Sequence, residues 1–348
     1  MTEVRVGILS TGSYLPKLEV SNEEVAERVG VTAEWIERKT QIRSRRYAAP
    51  HEATSDLAAS AGAAALEQAG LTADQVDYLI VATSTGDFPQ PPTSSLVQHR
   101  LGADAAACFD VNVVCSGFVY ALALARSLVT VEPAALVLVI GADLYSRIID
   151  FDDRKTAVLF ADGAGAAVVG AVPEPYGIIG IDLHSRGDAH HLIRVEAGGS
   201  RNPATAGTVA EGGHFFRMDG RGVRDFVVDN VPAALRALAD RTGHDLSGVD
   251  HFVPHQANGV LIDEVAERAG LRRARTHRPL HKYGNVGSAS VAVALDEAHR
   301  AGALRPGELV LLAGFGGGMS IGASLLTWGA GDGPAARAAH DAREGRAS

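Results

Sequence analysis

Three residues of this chain carry the side-chain chemistry of an acyl-transfer site: Cys115, His255 and Asn285. A thiolate attacks acyl groups, an imidazole moves protons, and an amide donates hydrogen bonds to a developing oxyanion. Cys115 ends an apolar, strand-like run and precedes a helix predicted over residues 116–129. The positive end of a helix stabilises a thiolate, so this position predicts a nucleophile. The alternative is a buried, inert cysteine.

His255 and Asn285 also lie where one predicted element ends and the next begins. His255 follows a strand predicted over 250–253, and an amphipathic segment over 259–270 comes after it. Asn285 lies in a Gly/Asn/Ser loop that leads into a second small-residue helix. Rigid scaffolds place catalytic groups at such junctions. The three junctions therefore favour one shared site over three separate structural residues.

Composition limits the class of protein. The 348 residues are long enough for two domain-sized units or one large duplicated unit. Hydrophobic residues make up 46% of the chain and aromatic residues 5%, so the core must consist of Ala, Val, Leu and Gly, which favours packed α/β layers. The net charge of −9 argues against a general nucleic-acid binder.

The cysteine count and the N-terminus bear on the compartment. The two cysteines lie seven residues apart and offer no disulfide framework, which favours a reducing environment. The first residues lack the pattern of a signal peptide, and no run reaches about 18 uninterrupted apolar residues. We therefore expect a cytoplasmic protein that does not cross a membrane.

Strand-like and helical runs alternate along the chain, as in an α/β fold with a largely buried sheet. Strands are predicted over 78–82, 135–140 and 166–169, and helices over 54–69 and 114–129. Segment 174–220 is richer in Gly, Pro, His and charge, and is predicted to be a connection with surface loops. Residues 331–348 lack periodicity, which predicts a disordered tail.

The two halves of the sequence also repeat each other faintly. Residues 77–82 resemble 250–254 as a strand that leads into a polar loop, and 114–129 resemble 287–301 as a small-residue helix. Residues 135–170 resemble 308–328 as paired, glycine-rich strands. The repetition supports a duplicated architecture, although any α/β protein could show it by chance.

Seven short motifs, in order, resemble the thiolase-like condensing enzymes, and among them the β-ketoacyl-acyl-carrier-protein synthase III branch. They are GSYLP (12–16), EWIERKT (34–40), DVNVVCSGF (110–118), FADGAGA (160–166), VPHQAN (253–258), KYGN (282–285) and GFGGGM (314–319). The resemblance covers about residues 6–328. It implies an α/β, thiolase-like fold in which two duplicated βαβαβαββ halves form five αβαβα layers. The halves would be 1–172, with the nucleophile, and 173–330, with the histidine, asparagine and glycine-rich loop.

The resemblance implies a reaction in two stages. Cys115 takes the acyl group from a thioester, and a malonyl-type thioester then loses carbon dioxide and attacks that group. Asn285 donates hydrogen bonds, whereas an aspartate would only accept them, so the asparagine favours carbon–carbon bond formation. One alternative is an acyltransferase on the same fold that passes the acyl group to an alcohol or amine. Another is an inactive partner subunit, against which the intact Cys115, His255 and Asn285 argue.

The family pattern also implies binding residues. The backbone N–H groups of Cys115 and Gly317 would hold the oxyanion, and Trp35 and Arg154 would contact coenzyme A. Lys39 stands where the family usually has an arginine, and lysine cannot offer a planar fork to a phosphate. No metal and no organic cofactor are expected, because coenzyme A serves as the carrier of the substrate.

The expected docking surface for an acyl carrier protein departs from the family pattern. Val260 stands where a basic residue is usual, and Asp263, Glu264 and Glu267 follow it, which would repel an acidic carrier. Arg217 remains as a docking residue. Further arginines that are candidates to substitute for the missing basic residue are Arg221, Arg224, Arg272 and Arg273. These changes predict a specialised relative, in natural-product assembly, rather than the housekeeping fatty-acid initiator.

Two further residues have implied or excluded roles. In the family, the residue like Phe88 crosses a homodimer interface and helps close the partner's acyl tunnel; its ordinary alternative is loop packing. Cys108, the rival nucleophile, lies in an alanine-rich stretch with no helix start and is predicted to be a small buried hydrophobe.

Overall fold

The computed structural model describes residues 4–329, so the tail predicted over 331–348 lies outside the described residues. The strands are β1 Val6–Tyr14, β2 Leu18–Ser21, β3 Ser44–Tyr47, β4 Tyr78–Ala82, β5 Ala107–Val111, β6 Val137–Leu144, β7 Asp162–Ala171, β8 Gly177–Ser185, β9 Ile193–Val195, β10 Phe216–Met218, β11 His251–Pro254, β12 Arg275–Thr276, β13 Leu309–Gly316 and β14 Ser320–Thr327. The α-helices are α1 Asn22–Val29, α2 Ala33–Thr40, α3 Thr54–Ala69, α4 Thr93–Leu101, α5 Gly117–Val131, α6 Ala206–Ala210, α7 Gly220–Thr242, α8 Gly259–Ala269, α9 Leu280–Tyr283 and α10 Ser290–Arg300.

Two five-stranded sheets repeat the same topology. The first has the order β1-β7-β6-β4-β5, and the second has the order β8-β14-β13-β11-β12. In each sheet the three inner strands join by one antiparallel and one parallel pairing. The repetition seen in the sequence thus corresponds to equivalent elements, with β4 matching β11, α5 matching α10, and the pair β6–β7 matching β13–β14.

The helices form three layers around the two sheets. Helices α3 and α4 cover the outer face of the first sheet, and α7 covers the outer face of the second with α8 beside it. Helices α5 and α10 lie between the sheets and contact strands of both. The order is therefore α, β, α, β, α, the five layers that the sequence resemblance implied.

Small residues allow these layers to approach closely. A Cβ atom on Gly12 would lie 2.3 Å from the backbone nitrogen of Ala65 on α3. A Cβ on Gly165 of β7 would lie 2.7 Å from the Cβ of Ala292 on α10. Only glycine permits such contacts between a strand and a helix backbone. The central core consists mainly of Ala, Val, Leu and Ile, as the low aromatic content predicts.

Most predicted elements appear in the structure, and one prediction is wrong. Helix 54–69 and strand 78–82 have the predicted bounds, whereas the other two predicted strands are longer than expected. Segment 174–220 is not only a connection, because it contains β8, the nine-residue strand that begins the second sheet. Pairing with β14 forms this strand, and its glycines and polar residues hid it from a search for apolar runs.

One helical stretch, Val114–Val131, is long and apolar enough to cross a membrane by length and composition. It contains α5, whose residues Phe118, Leu122 and Ala125 are fully buried in the core between the two sheets. The central helix of an α/β protein passes the same test, so we assign this stretch to the protein core.

Candidate active site

The structure brings the three predicted chemical residues to one cavity. Cys115, His255 and Asn285 all line a cavity of about 440 Å³, together with Phe315 and Gly316. Their side chains are nearly buried, with relative exposures of 6%, 1% and 4%. Cys115 comes from the first half of the chain, and the other two residues come from the second half. The site therefore exists only where the halves meet.

A strained turn presents the Cys115 thiol. Val114, directly before it, has a φ of 46°, a backbone conformation that β-branched residues rarely adopt. A 3₁₀ turn over Val114–Ser116 follows and leads into α5, which begins at Gly117. The thiol thus lies at the N-terminal end of a fifteen-residue helix, where unpaired N–H groups and the helix dipole favour an anion.

The glycine-rich end of β13 packs directly against this turn. A Cβ on Gly316 would lie 2.7 Å from the Cβ of Cys115, and one on Gly314 would lie 2.9 Å from the Cα of Ser116. The nearby backbone amides of Gly317 and Cys115 lower the pKa of the thiol. These are the two N–H groups that the sequence resemblance assigned to an oxyanion site.

Burial controls the protonation of the site. Burial, followed by the nearby charge of Asp143, raises the pKa of the Cys115 thiol to about 12. Burial alone lowers the pKa of His255 to about 3, so its imidazole is neutral near pH 7. The His255 ring lies edge-on to Phe315, with centroids 5.4 Å apart. A neutral imidazole carries one N–H, so His255 has one hydrogen bond to donate.

The Asn285 side chain has a fixed orientation. Its backbone bridges to the segment that follows Thr156, donating to the carbonyl of Leu159 at 2.9 Å and accepting from Ala161 at 2.8 Å. Its Oδ1 accepts from the N–H of Gly287 at 3.0 Å. Because Oδ1 is occupied, the Nδ2 group is the part of the side chain that remains available as a donor.

Aromatic rings form part of the cavity wall. Phe160 and Phe216 line the cavity and lie 4.8 Å apart in an edge arrangement. Tyr145 stacks on Phe160 at 4.5 Å and is 1% exposed, outside the lining of the cavity.

The mouth of the cavity differs from the predicted coenzyme A contacts. Lys39 lines the cavity as expected, and Lys155 lines it beside Lys39. Arg154 and Trp35 do not line it. Trp35 is half-buried against a small cluster that includes Val25 and Ile36. The sequence predicted Arg154 as the basic contact at this position, whereas the neighbouring Lys155 is the residue that lines the cavity.

Ion pairs occupy most of the charges that were predicted to face a carrier protein. Glu264 accepts two bonds from Arg224, at 2.7 and 2.9 Å, and one from Arg268 at 2.9 Å. Asp263 pairs with Arg278. The acidic face expected after the His255 motif is therefore largely neutralised, which corrects the expectation of like-charge repulsion.

Arg217 is also engaged. Its guanidinium lies 3.0 Å from the carboxylate of Asp150 and 4.0 Å from that of Asp153. Among the arginines that were predicted to substitute for it, Arg224 is paired with Glu264, and Arg221, Arg272 and Arg273 form no ion pair with residues 4–329. The predicted docking role of Arg217 would require it to exchange or share these partners.

Three other predictions can be placed. Phe88 is 59% exposed in the loop before α4 and does not line the cavity. Cys108 lies on β5, outside the cavity, and is partly rather than fully buried, with its sulfur 3.8 Å from the Ser95 hydroxyl. Across residues 4–329, no group of three or more His, Cys, Asp or Glu side chains is arranged to hold a metal ion.

Sequence reasoning missed the polar residues beside the thiol. Asp143 and Tyr145 follow one another closely at the end of β6 and are both buried near Cys115. Nothing in their sequence context distinguishes them from a strand end with ordinary core packing. An acidic residue within a strand-like apolar run is the one signal that could have drawn attention to Asp143.

Two family models match the chain. Residues 109–187 match 3-oxoacyl-[acyl-carrier-protein (ACP)] synthase III, and residues 239–328 match the C-terminal model of the same family. The first match contains Cys115, and the second contains His255, Asn285 and Gly317.

Several characterised relatives align over almost the whole chain. An acetoacetyl CoA synthase, NphT7, from Streptomyces sp. (strain CL190) is 52% identical over 94% of this chain and all of its own. A β-ketoacyl-[acyl-carrier-protein] synthase III from Caldanaerobacter subterraneus subsp. tengcongensis is 43% identical over 94% of this chain and 98% of its own. The crystal structure of the priming β-ketosynthase of the R1128 polyketide pathway superposes with a TM-score of 0.87 at 37% identity, covering 94% and 98% of the two chains. The predicted thiolase-like fold is confirmed.

The placement of Cys115 predicts that it is the acylated residue. After incubation with acetyl-coenzyme A, peptide mapping by mass spectrometry should find the adduct on Cys115, and Cys115→Ala should abolish it. Cys108→Ala is the matched control and should acylate normally, because Cys108 lies outside the cavity. An adduct on Cys108 would overturn the assignment.

Proposed function

The chain belongs to the 3-oxoacyl-[acyl-carrier-protein] synthase III family of condensing enzymes, and from this membership we propose that it joins a short acyl group to a malonyl thioester through an acyl-Cys115 intermediate. The observation that carries the proposal is the convergence of Cys115, His255 and Asn285 on one cavity, with the Asn285 oxygen bonded to Gly287 and its Nδ2 available as a donor.

In the first stage, the Cys115 thiolate attacks the carbonyl carbon of an acyl-coenzyme A. The carbonyl oxygen becomes an oxyanion, which the N–H groups of Cys115 and Gly317 are placed to hold. The carbon–sulfur bond to coenzyme A then breaks, and the coenzyme A thiolate leaves and takes up a proton. An acyl thioester on Cys115 remains.

In the second stage, a malonyl thioester enters and loses carbon dioxide. The electron pair of the broken bond moves onto the thioester oxygen, where the Nδ2 of Asn285 and the single N–H of neutral His255 can stabilise the negative charge. The resulting carbon nucleophile attacks the acyl carbon and releases the Cys115 thiolate. Groups of the chain meet each developing charge, so we propose that the reaction needs no metal and no cofactor besides coenzyme A.

Asn285→Asp tests the second stage with little change in shape. Aspartate keeps the oxygen that accepts from Gly287, at 3.0 Å in the native chain, but it loses the donor and, when ionised, adds a negative charge that opposes an oxyanion. We expect malonyl decarboxylation and condensation to fall roughly a hundredfold to a thousandfold. Self-acylation of Cys115, followed by mass spectrometry, should remain within a fewfold of the native rate.

The opposite pattern would contradict this role. Loss of self-acylation with unchanged malonyl decarboxylation would mean that Asn285 serves the first stage, as expected for an enzyme that passes the acyl group to an alcohol or amine.

A similar protein and the charge at the cavity mouth support a short acyl group and an acceptor bound to coenzyme A. Phe160 and Phe216 form an aromatic part of the wall that the acyl group would meet. Lys39 and Lys155 line the mouth and form no ion pair with any carboxylate of residues 4–329, so they can meet phosphates. The 52%-identical relative is an acetoacetyl CoA synthase, and we propose the same type of product and a role in specialised biosynthesis.

The paired charges near the mouth support this choice of acceptor. A carrier protein is acidic and needs free cations on the enzyme surface for rapid encounter. Arg224 and Arg268 are both held by Glu264, and Arg217 is held by Asp150. These three arginines are therefore engaged and less available to a carrier protein, whereas Lys39 and Lys155 are free to meet the phosphates of coenzyme A.

Glu264→Gln should improve use of a carrier protein, because it releases Arg268 and leaves Arg224 with Asp225 as its one paired carboxylate among residues 4–329. We expect kcat/KM on malonyl-carrier protein to rise severalfold at low ionic strength and the gain to vanish at high salt. Glu267→Gln is the matched control, since it changes net charge equally but frees no arginine. Efficient, salt-sensitive condensation on a generic carrier by the native enzyme would contradict the proposed acceptor.

We further propose a homodimer. Strand β5 is an edge of the first sheet, with one side unpaired, and such edges invite pairing with a second chain. Phe88 and Leu124 are apolar and exposed, at 59% and 41%. The loop before α4 would carry Phe88 across the interface, where its ring would reach the acyl cavity of the partner subunit.

Light scattering should therefore give the mass of two chains. Phe88→Ala should leave that mass unchanged and increase self-acylation by four-carbon and six-carbon acyl-coenzyme A, because a wall of the partner's cavity is removed. Leu18→Ala is the matched control, since Leu18 is 55% exposed on β2. A monomeric mass, or chain-length preferences identical to those of the native enzyme, would contradict the assignment.

A further inference from the structure

One buried carboxylate joins the two halves of the chain next to the site and has no part in the two stages described above. Asp143 lies near the end of β6 and is completely buried, as is Ser288 of the second half. A carboxylate is costly to bury unless its oxygens accept hydrogen bonds. The partners of Asp143 therefore show what this side chain is placed to hold.

One oxygen of Asp143 fixes the carboxylate to the first half. Its Oδ1 accepts from the N–H of Ser84 at 2.8 Å and from the hydroxyl of Thr85 at 2.9 Å. The Thr85 oxygen accepts in turn from the N–H of Leu144 at 2.8 Å. These bonds join the carboxylate to the loop after β4 and back to its own strand, which leaves it little freedom to rotate.

The other oxygen contacts the turn that leads into α10. Oδ2 of Asp143 accepts from the N–H of Ser288 at 2.7 Å. A Cβ on Gly287 would stand only 2.3 Å from Oδ2, so the carboxylate packs directly against the backbone of this turn. The Ser288 hydroxyl also donates to the carbonyl of Ala82 at 2.8 Å. The first half of the chain thus holds two successive residues of one turn in the second half.

This turn sets the side chain of Asn285. The N–H of Gly287 donates to Oδ1 of Asn285 at 3.0 Å, and that bond leaves Nδ2 as the available donor. The Asn285 backbone is held separately, by Leu159 and Ala161. The orientation of the amide therefore depends on Gly287, which packs against Asp143.

We propose that Asp143 is a positioning residue for the second stage of the reaction. Its carboxylate fixes the turn of Gly287 and Ser288, and this turn fixes the Asn285 amide with Nδ2 free to donate to the oxyanion. The role in turnover rests on the proposed function, whereas the hold on the turn does not.

The bonds of Asp143 need a carboxylate rather than an amide. The groups of Ser84, Thr85 and Ser288 that face it all donate, so both oxygens must accept. An asparagine has one oxygen and would place its NH₂ group against an N–H. Because Oδ1 meets more donors than Oδ2, Asp143→Asn should keep the bonds to the first half and break the bond to Ser288.

The first measurement needs no substrate. Hydrogen exchange followed by mass spectrometry in the full-length protein reports on the amides of Gly287 and Ser288, in peptides spanning residues 284–291. We expect Asp143→Asn to speed their exchange about tenfold to a hundredfold, because a hydrogen bond to a charged group is lost. Exchange in peptides from β1 and β14 should stay native, which a general loss of stability would not allow.

Asp296→Asn is the matched control. Asp296 is also a completely buried carboxylate that joins the halves, and it accepts from the hydroxyls of Thr11 and Ser13. It lies on α10, and these bonds do not involve the turn. Exchange over residues 284–291 should therefore keep its native rate in this variant.

The second measurement is a double-mutant cycle on the decarboxylation of malonyl-coenzyme A. Asp143→Asn should lower the rate about tenfold, less than the loss expected from deleting the donor itself. Self-acylation of Cys115 by acetyl-coenzyme A should stay within a fewfold of the native rate. In an Asn285→Ala background, Asp143→Asn should have little further effect, because the amide that Asp143 positions is gone.

Native exchange at the turn in Asp143→Asn, faster exchange over the whole chain, or equal rate losses with and without the Asn285 amide would overturn the proposal. A native protein that does not decarboxylate malonyl-coenzyme A would contradict the proposed function instead, and the exchange rates would still decide whether Asp143 holds the turn. If Asp143→Asn does not fold, Gly287→Ala disturbs the same contact from the second half and should give the same pattern of exchange and rates.

Discussion

Burial of the Cys115 thiol is the constraint on which the rest of the site depends. A dry site protects an acyl thioester from water and strengthens every hydrogen bond inside it, but it also penalises the thiolate. The chain compensates with fixed donors rather than with a nearby positive side chain. The thiol lies at a helix N-terminus, and the nearby backbone amides of Gly317 and Cys115 lower its pKa. The strained φ of Val114 and the missing side chains of Gly314 and Gly316 are what allow this approach.

The duplicated architecture supplies these donors from both halves. Helices α5 and α10 lie between the sheets, and the catalytic loops occur at equivalent ends of equivalent strands. Hydrogen bonds tie the halves together close to the site. Asp143 of the first half accepts from the N–H of Ser288 in the second, and Asp296 on α10 accepts from the hydroxyls of Thr11 and Ser13 on β1 at 2.8 and 2.5 Å. The relative position of Cys115 and Asn285 is therefore fixed by buried, directional contacts.

The mouth of the cavity differs from its interior in the charged residues that surround it. The chain as a whole is acidic, and arginines around the mouth are engaged by neighbouring carboxylates such as Glu264 and Asp150. Lys39 and Lys155 escape this pairing and give the entrance a local positive charge. Coenzyme A and a carrier protein present the same acyl group. The choice between them can thus depend on which cations at the mouth are unpaired rather than on the total number of cations.

The sequence by itself determined the chemistry and the class of fold. Cysteine, histidine and asparagine at element junctions, glycine runs and small-residue helices identify the family, because these local features need particular residue types. What only the tertiary structure decided are the partners of each group. Glu264 pairs with Arg224, which lies 40 positions away in the sequence, and Tyr145 approaches Cys115 from a different strand end. Lys155 rather than Arg154 lines the cavity because of the way their segment packs. Strand β8 likewise depends on its pairing with β14, over a hundred residues away, which no local pattern records.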